Sequence, residues 1–132
     1  MNYHKEFFRQ FVQFINTADE NLALELISPA AKFHVPGQAD PLQGPNGYLM
    51  IIKMMRSGFS DIQWTSEEMI SEDDRSAIRF TMRGTHDGTF LGVSPTGKSI
   101  EVQAMNFYRL ADKQIIEERG QPDLFSLLQQ IG

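Results

Sequence analysis

Asp123, His86 and His34 carry side chains capable of acid/base chemistry. Asp123 follows Pro122 and opens a short apolar run, Leu124, Leu127, Leu128 and Ile131, that reads as a terminal helix. Asp is a favoured N-cap, so position alone gives it a structural role. A carboxyl held there at the mouth of a pocket would instead shuttle a proton between carbon and oxygen, with partial burial lifting its pKa toward working pH. His86 shares strand parity with Phe80, Met82 and Gly84, which points it to an apolar, concave side, whereas His34 opposes Phe33 and Val35. Each histidine reads either as a ring satisfied by a backbone carbonyl or as a group that hydrogen-bonds a substrate. His4, His34 and His86 have no HxH or HExxH spacing, and no GxGxxG, P-loop or GxSxG occurs. Neither a metal nor another cofactor is therefore expected.

These residues sit in a chain of 132 residues, 41% hydrophobic and 22% charged, which is the size and composition of one globular domain over 1–132. The net charge of −5 and scattered Lys and Arg argue against nucleic acid as a partner. The absence of cysteine removes disulfides, thiol nucleophiles and cysteine zinc sites. No run approaches the ~20 apolar residues of a membrane span. Lys5, Glu6 and Arg9 interrupt the first residues, so no signal peptide is read and a soluble, cytoplasmic protein without a membrane partner is expected.

The first half has helical periodicity. Phe7, Phe11, Phe14, Ile15 and Ala18 recur at three- and four-residue steps, with His4, Arg9, Gln10 and Gln13 turned away. Thr17 to Glu20 offers a capping box for a second helix that Pro29 ends, and a short strand, 31–35, follows. Gly44-Pro45 starts a third helix with an apolar stripe of Tyr48, Ile51, Ile52 and Met55, and Gly58 terminates it. Beyond Gly58 the period becomes alternating. Ile62, Trp64 and Ile70 share one parity, Ile78, Phe80 and Met82 the next, then Ile100, Val102, Ala104, Asn106 and Tyr108, with a long bend over 84–97. Helices grouped before an antiparallel meander predict an α+β domain. Its curved, mostly antiparallel sheet wraps the N-terminal helices as a cone-shaped barrel, closed by the short C-terminal helix, with a pocket between sheet and helices. Met105 and Phe107 make one strand apolar on both faces, which predicts a homodimer joined through the convex face.

The stretch Gly84-Thr85-His86-Asp87-Gly88-Thr89-Phe90-Leu91-Gly92-Val93-Ser94-Pro95-Thr96-Gly97-Lys98 resembles the bend of SnoaL-like polyketide cyclases and the related ester cyclases. Tyr108-Arg109, Ile115-Ile116-Glu117 and Asp123 leading into Leu127-Leu128-Gln129-Gln130-Ile131-Gly132 resemble the C-terminal pattern of the same family, within the nuclear-transport-factor-2-like cone superfamily. The resemblance implies an intramolecular aldol ring closure of a polyketide-derived ester without metal or organic cofactor, with an acidic residue at Asp123 as general acid/base. Many members carry a Trp where Arg119 stands here, and an Arg on the pocket wall would favour a smaller or anionic ligand over a flat polyaromatic one.

The expected partner is thus a small hydrophobic or carbonyl-containing molecule. Asp123, His86 and His34 are the candidate catalytic groups. Phe14, Phe33, Ile51, Met55, Trp64, Phe80, Met82, Phe90 and Arg119 are the candidate pocket wall, although core packing is the commoner use of such side chains. Two alternatives stay open. One is a non-catalytic binding protein on the same fold. The other is a ketosteroid-isomerase-like or epoxide-hydrolase-like enzyme; an isomerase would want a Tyr and a protonated acid deep in the pocket, with Tyr48 and Asp40 as candidates.

Overall fold

Five apolar residues on one face of the first helix, Phe7, Phe8, Phe11, Phe14 and Ile15, are all buried, and the rest of the chain is arranged to cover them. The computed structural model describes residues 2–132. These form α1 (Asn2–Thr17), α2 (Glu20–Leu26), β1 (Ile27–His34), β2 (Leu42–Gln43), α3 (Gly44–Gly58), β3 (Gln63–Glu72), β4 (Arg75–Thr85), β5 (Ser99–Ala111), β6 (Gln114–Pro122) and α4 (Leu124–Ile131). The six strands make one open, mixed sheet in the order β2-β1-β6-β5-β4-β3. Strand β1 runs parallel to β6, and the other pairings are antiparallel. The α+β architecture expected from the change of period is the one observed, with β2 as an added edge.

Local signals explain most element ends. Ala18 adopts φ 57° and stops α1. Asp19, rather than Thr17, caps α2, its Oδ1 accepting from the N–H groups of Asn21 at 2.8 Å and Leu22 at 3.1 Å. β1 begins directly at Ile27, so Pro29 lies inside the strand, not at the end of the helix. It is tolerated because the ladder to β6 is interrupted between Ile27 and Lys32, where no N–H is required. His4 is buried instead of turned outward. Its Nε2 lies 2.8 Å from the Asp73 carbonyl and its Nδ1 3.0 Å from Ser76 Oγ, so both ring nitrogens are satisfied.

Two bulges reset which side chains face the helices. The β3–β4 register shifts between Ser66 and Glu68, which leaves Ile70 69% exposed and turns Met69 to the core in its place. The β5–β6 register shifts between Arg109, opposite Glu117, and Leu110, opposite Ile115, so Ile116 is the extra residue. Regular alternation from Ile115 would have turned Glu117 and Arg119 inward. The bulge turns Glu118 and Gly120 inward instead, and both are buried.

Two apolar clusters fill the concave side. One packs Phe8, Phe11, Phe14, Phe33, Tyr48 and Tyr108 between α1, α3 and the sheet. The other gathers Phe59, Met82, Phe90, Val102, Leu127 and Ile131 around α4. Trp64 packs against both. Gly88 lets the 86–98 bend fold over the end of α3: its N–H donates to the Gly58 carbonyl at 3.1 Å, and a Cβ there would stand 1.8 Å from the Ser57 carbonyl oxygen. No helix among the described residues is long and apolar enough to cross a membrane.

Candidate functional site

Between the two clusters lies a cavity of about 170 Å³. α3 contributes Tyr48, Ile51, Ile52 and Met55 to its wall, the bend contributes Phe90, and the sheet contributes Trp64 and Met82. The polar exceptions are Asn106 from β5 and Glu118 from β6, with Gly120 beside them. The exposed side chains of Gln38, Met54 and Leu91 mark its mouth.

Glu118 is 5% exposed. Burial away from water penalises its charge and pushes the carboxyl up to about 7, against the opposing pull of hydrogen bonds from the Tyr48 and Tyr108 hydroxyls. Burial also raises both tyrosines well above the phenol range, with the nearby carboxyl adding to the shift, so they stay neutral donors. Their rings are held firmly. Phe11 meets Tyr48 at 5.4 Å and Tyr108 at 5.4 Å between centroids, both edge-on, while Phe33 stands 4.8 Å from Tyr48. Asn106 Nδ2 donates to the Tyr108 hydroxyl at 3.1 Å, which leaves the Tyr108 hydrogen for Glu118. A proton-transfer group with a pKa near neutrality, held by fixed donors and facing an apolar cavity, suits proton transfer at carbon.

The structure brings together some of the sequence-predicted residues and not others. Ile51, Met55, Trp64, Met82 and Phe90 line the cavity. Phe14, Phe33 and Phe80 are core residues behind it, at most 1% exposed. Arg119 points out of the sheet, its side chain 60% exposed and 3.3 Å from Glu117, because the Ile116 bulge reverses the parity. His34 shares that outer face, its Nε2 3.2 Å from Glu117 Oε2.

His86 is fully buried but off the cavity. Its Nδ1 accepts from the Thr96 N–H at 3.2 Å, which places the ring proton on Nε2, where it has no protein partner. The ring packs on Phe59 with centroids 5.4 Å apart and ties the two arms of the bend together.

Asp123 is exposed at the N-terminus of α4, where its carboxyl accepts from the Ser126 N–H at 3.0 Å and Ser126 Oγ at 2.7 Å. The Ser126 side chain first, then its backbone, holds that carboxyl below the usual range. Asp123 does not line the cavity, although its neighbours Pro122 and Leu124 do. Asp40, the isomerase candidate, is exposed and also off the cavity. Among the described residues no three His, Asp or Glu side chains are grouped to hold a metal ion.

An open, curved sheet closed by helices over an apolar cavity is the nuclear-transport-factor-2-like cone. Residues 5–131 match the family model of the SnoaL-like polyketide cyclases, and the chain belongs to that family. It is similar to AcmA of Streptomyces galilaeus, an aklanonic acid methyl ester cyclase, with 25% identity over 127 residues that cover 94% of this chain and 87% of AcmA. Its fold is similar to that of IdmH of Streptomyces antibioticus, assigned as a polyketide cyclase, at TM-score 0.86 and 29% identity over 97% of each chain. A SnoaL-like protein of Jannaschia sp. CCS1 shares the fold at TM-score 0.85 and 24% identity, over 98% of this chain and 92% of that one.

Proposed function

We propose that this chain closes a ring in a small, enolisable carbonyl compound without a cofactor, and that Glu118 is the acid/base. The observation that carries this reading is the buried Glu118 carboxyl on the wall of an apolar cavity. The Glu118 carboxylate takes a proton from the carbon beside one carbonyl. The enolate carbon then bonds to a second carbonyl carbon of the same molecule, and the alkoxide so formed takes the proton back from Glu118. One carboxyl serves both half-steps, and the reaction consumes no net proton. The apolar wall excludes water that would otherwise quench the enolate.

A second reading is favoured by the pairing of Tyr48 with a carboxyl that is readily protonated, which resembles the oxyanion-holding pair of a carbonyl isomerase. Such an enzyme also needs a separate base. With Asp40 exposed and Glu118 the one carboxyl among the residues lining the cavity, ring closure is the better fit.

The test is exchange of the α-hydrogens of acetophenone for deuterium, followed by NMR. Wild-type protein accelerates exchange, and Glu118→Gln lowers the acceleration by roughly 10²–10⁴, the range for a positioned acid/base. Exchange at the wild-type rate in the Gln variant would remove Glu118 from the chemistry and leave a binding protein.

We further propose a homodimer through the outer face of the sheet. Ile70, Ala77 and Phe107 align in one cross-strand row there, beside the exposed Met105.

A further inference from the structure

The bend over 86–98 carries a tight turn at the mouth of the cavity. Phe90 and Val93 exchange both backbone hydrogen bonds there: the Phe90 N–H donates to the Val93 carbonyl at 3.0 Å, and the Val93 N–H donates to the Phe90 carbonyl at 2.8 Å. Leu91 and Gly92, the two residues between them, have φ 46° and φ 80°. Positive φ at both positions defines a type I′ turn, whose first position favours Asn, Asp or Gly. Leucine is strained there, because its Cβ crowds the following carbonyl oxygen.

Packing does not repay that strain. Among the described residues, Asp73, Asp112 and Lys113 also have positive φ, but in polar hairpin turns, and Ala18 has it at the end of α1. Leu91 is the large apolar side chain of this set. Its neighbours in the turn are anchored: Phe90 is buried against Phe59, with centroids 5.1 Å apart, and Val93 packs on the cluster around α4. Leu91 itself is 59% exposed, and a Cβ on Gly92 would meet nothing within 4 Å. The base of the turn is fixed while its tip stands free. Strain kept where the fold does not need it points to a functional position.

Leu91 lines the mouth of the cavity together with Met54 of α3, which is 48% exposed. The cavity behind them holds about 170 Å³. A dry cavity of roughly 150 Å³ encloses a benzene-sized guest, so the part of a ligand beyond one ring must leave through the mouth. Whatever leaves there meets two large apolar side chains, one of them an adaptable thioether. Such a contact favours a chain of methylenes over a charged or hydrogen-bonding group.

We propose that Leu91 and Met54 form a subsite at the mouth, which grips the apolar tail of a ligand whose carbonyl-bearing ring fills the cavity. Leu91 is then a specificity-determining residue, and the strained turn holds it in place before the ligand arrives. The inference rests on the cavity being the site of the proposed reaction, but not on which group moves the proton.

The experiment is calorimetric titration of the 132-residue chain with acetophenone and with 4′-butylacetophenone, alongside thermal unfolding without ligand. The butyl compound binds the wild type at least about tenfold more tightly, because its tail leaves water at the mouth. In Leu91→Asn and in Leu91→Gly that preference falls by at least about threefold, since the apolar contact is gone. Both variants suit the turn, so their thermal midpoints rise by about 2 °C or more as the strain is relieved. Equal binding of the two ketones to the wild type, or a preference unchanged in both variants, overturns the proposal. So does a midpoint that rises in neither variant, which would make Leu91 a packing residue. A preference that weakens as expected in a protein that exchanges no acetophenone hydrogens upholds the subsite and sinks the ring-closing reading. An unchanged preference in a protein that does exchange them sinks the subsite alone.

Discussion

Tyr48 on α3 and Tyr108 on β5 come from opposite layers of the fold, and both rings are wedged against Phe11 of α1, each with its centroid 5.4 Å away. The aromatic core therefore serves the site directly. Because Phe11 and Phe14 are fully buried, the two hydroxyls have little freedom to swing away from the carboxyl. Burial governs the titration of Glu118, and the two tyrosines trim it.

The first prediction concerns stability against pH. The folded pKa of Glu118, about 7, lies above the ordinary value of 4.5. Between those limits the folded protein holds more proton than the unfolded chain, so stability falls as pH rises through that window and levels off above it. A shift of this size corresponds to roughly 2–4 kcal/mol. Urea unfolding at pH 5 and pH 8 should show this loss in the wild type. Glu118→Gln, which cannot ionise, should lose correspondingly less over the same interval.

The second prediction is kinetic. If the Glu118 carboxylate is the base, the exchange rate of acetophenone rises about tenfold per pH unit below the Glu118 pKa and flattens above about 7. A profile that is flat from pH 5 to pH 8 would refute this assignment.

The third separates the two acids near the end of β6. Asp123 is exposed and held by Ser126. Asp123→Asn keeps the cap and should leave exchange within about twofold, since Asn caps helices about as well as Asp. Asp123→Ala should lower the thermal midpoint while leaving the rate per folded molecule unchanged. A loss of exchange in Asp123→Asn comparable to that in Glu118→Gln would return the chemistry to Asp123.

Much of the frame was legible because its signals are local. Pro45 and Gly58 bracket α3 as expected, and the alternation from Ile100 to Tyr108 places Ala104, Asn106 and Tyr108 on the inner face of β5. Ile51, Met55, Trp64 and Met82 reach the cavity for the same reason, whereas Phe90 comes from the bend. Glu118 was not legible, because a one-residue bulge at Ile116 reverses parity and depends on the pairing of β5 with β6. The available hint was the alternation of Glu118, Gly120 and Pro122, two of them unable to fill space as a large side chain would. The same kind of bulge exchanged Ile70 for Met69 in β3. Long-range register is carried by the partner strand, so periodicity within one strand does not reveal it.

The fourth prediction concerns the bend that supplies Phe90. A Cβ at Gly88 would collide with the Ser57 carbonyl, which is backbone and cannot rotate away. Gly88→Ala should destabilise the fold at the upper end of the roughly 1–3 kcal/mol typical of overpacking. Chemical denaturation checks it, and an unchanged midpoint would mean that the bend does not close over α3 in solution.

The last prediction concerns the outer face. Ile70 on β3 is 69% exposed, and Met105 and Phe107 on β5 are 63% and 44% exposed, with β4 lying between the two strands. Ile70 pairs across to Ala77, and Ala77 to Phe107, so their side chains form a continuous apolar row and not scattered single residues. Arg79, which pairs with Met105, is engaged by Glu68 at 3.2 Å and Gln103 at 2.8 Å, so its charge is already partnered beside the apolar patch. A sheet face of this kind is self-complementary under a twofold axis, which makes a second copy the natural cover. Light scattering at micromolar concentration should give a mass twice the 15.0 kDa of the chain. Phe107→Lys together with Met105→Lys should yield a folded monomer, because both side chains point away from the core and like charges would then face each other across the axis. The monomer should keep its α-hydrogen exchange, since Glu118 and the cavity wall lie on the opposite face of the sheet. A wild-type protein that runs as a 15.0 kDa monomer under these conditions would sink the dimer and leave the row as bare surface.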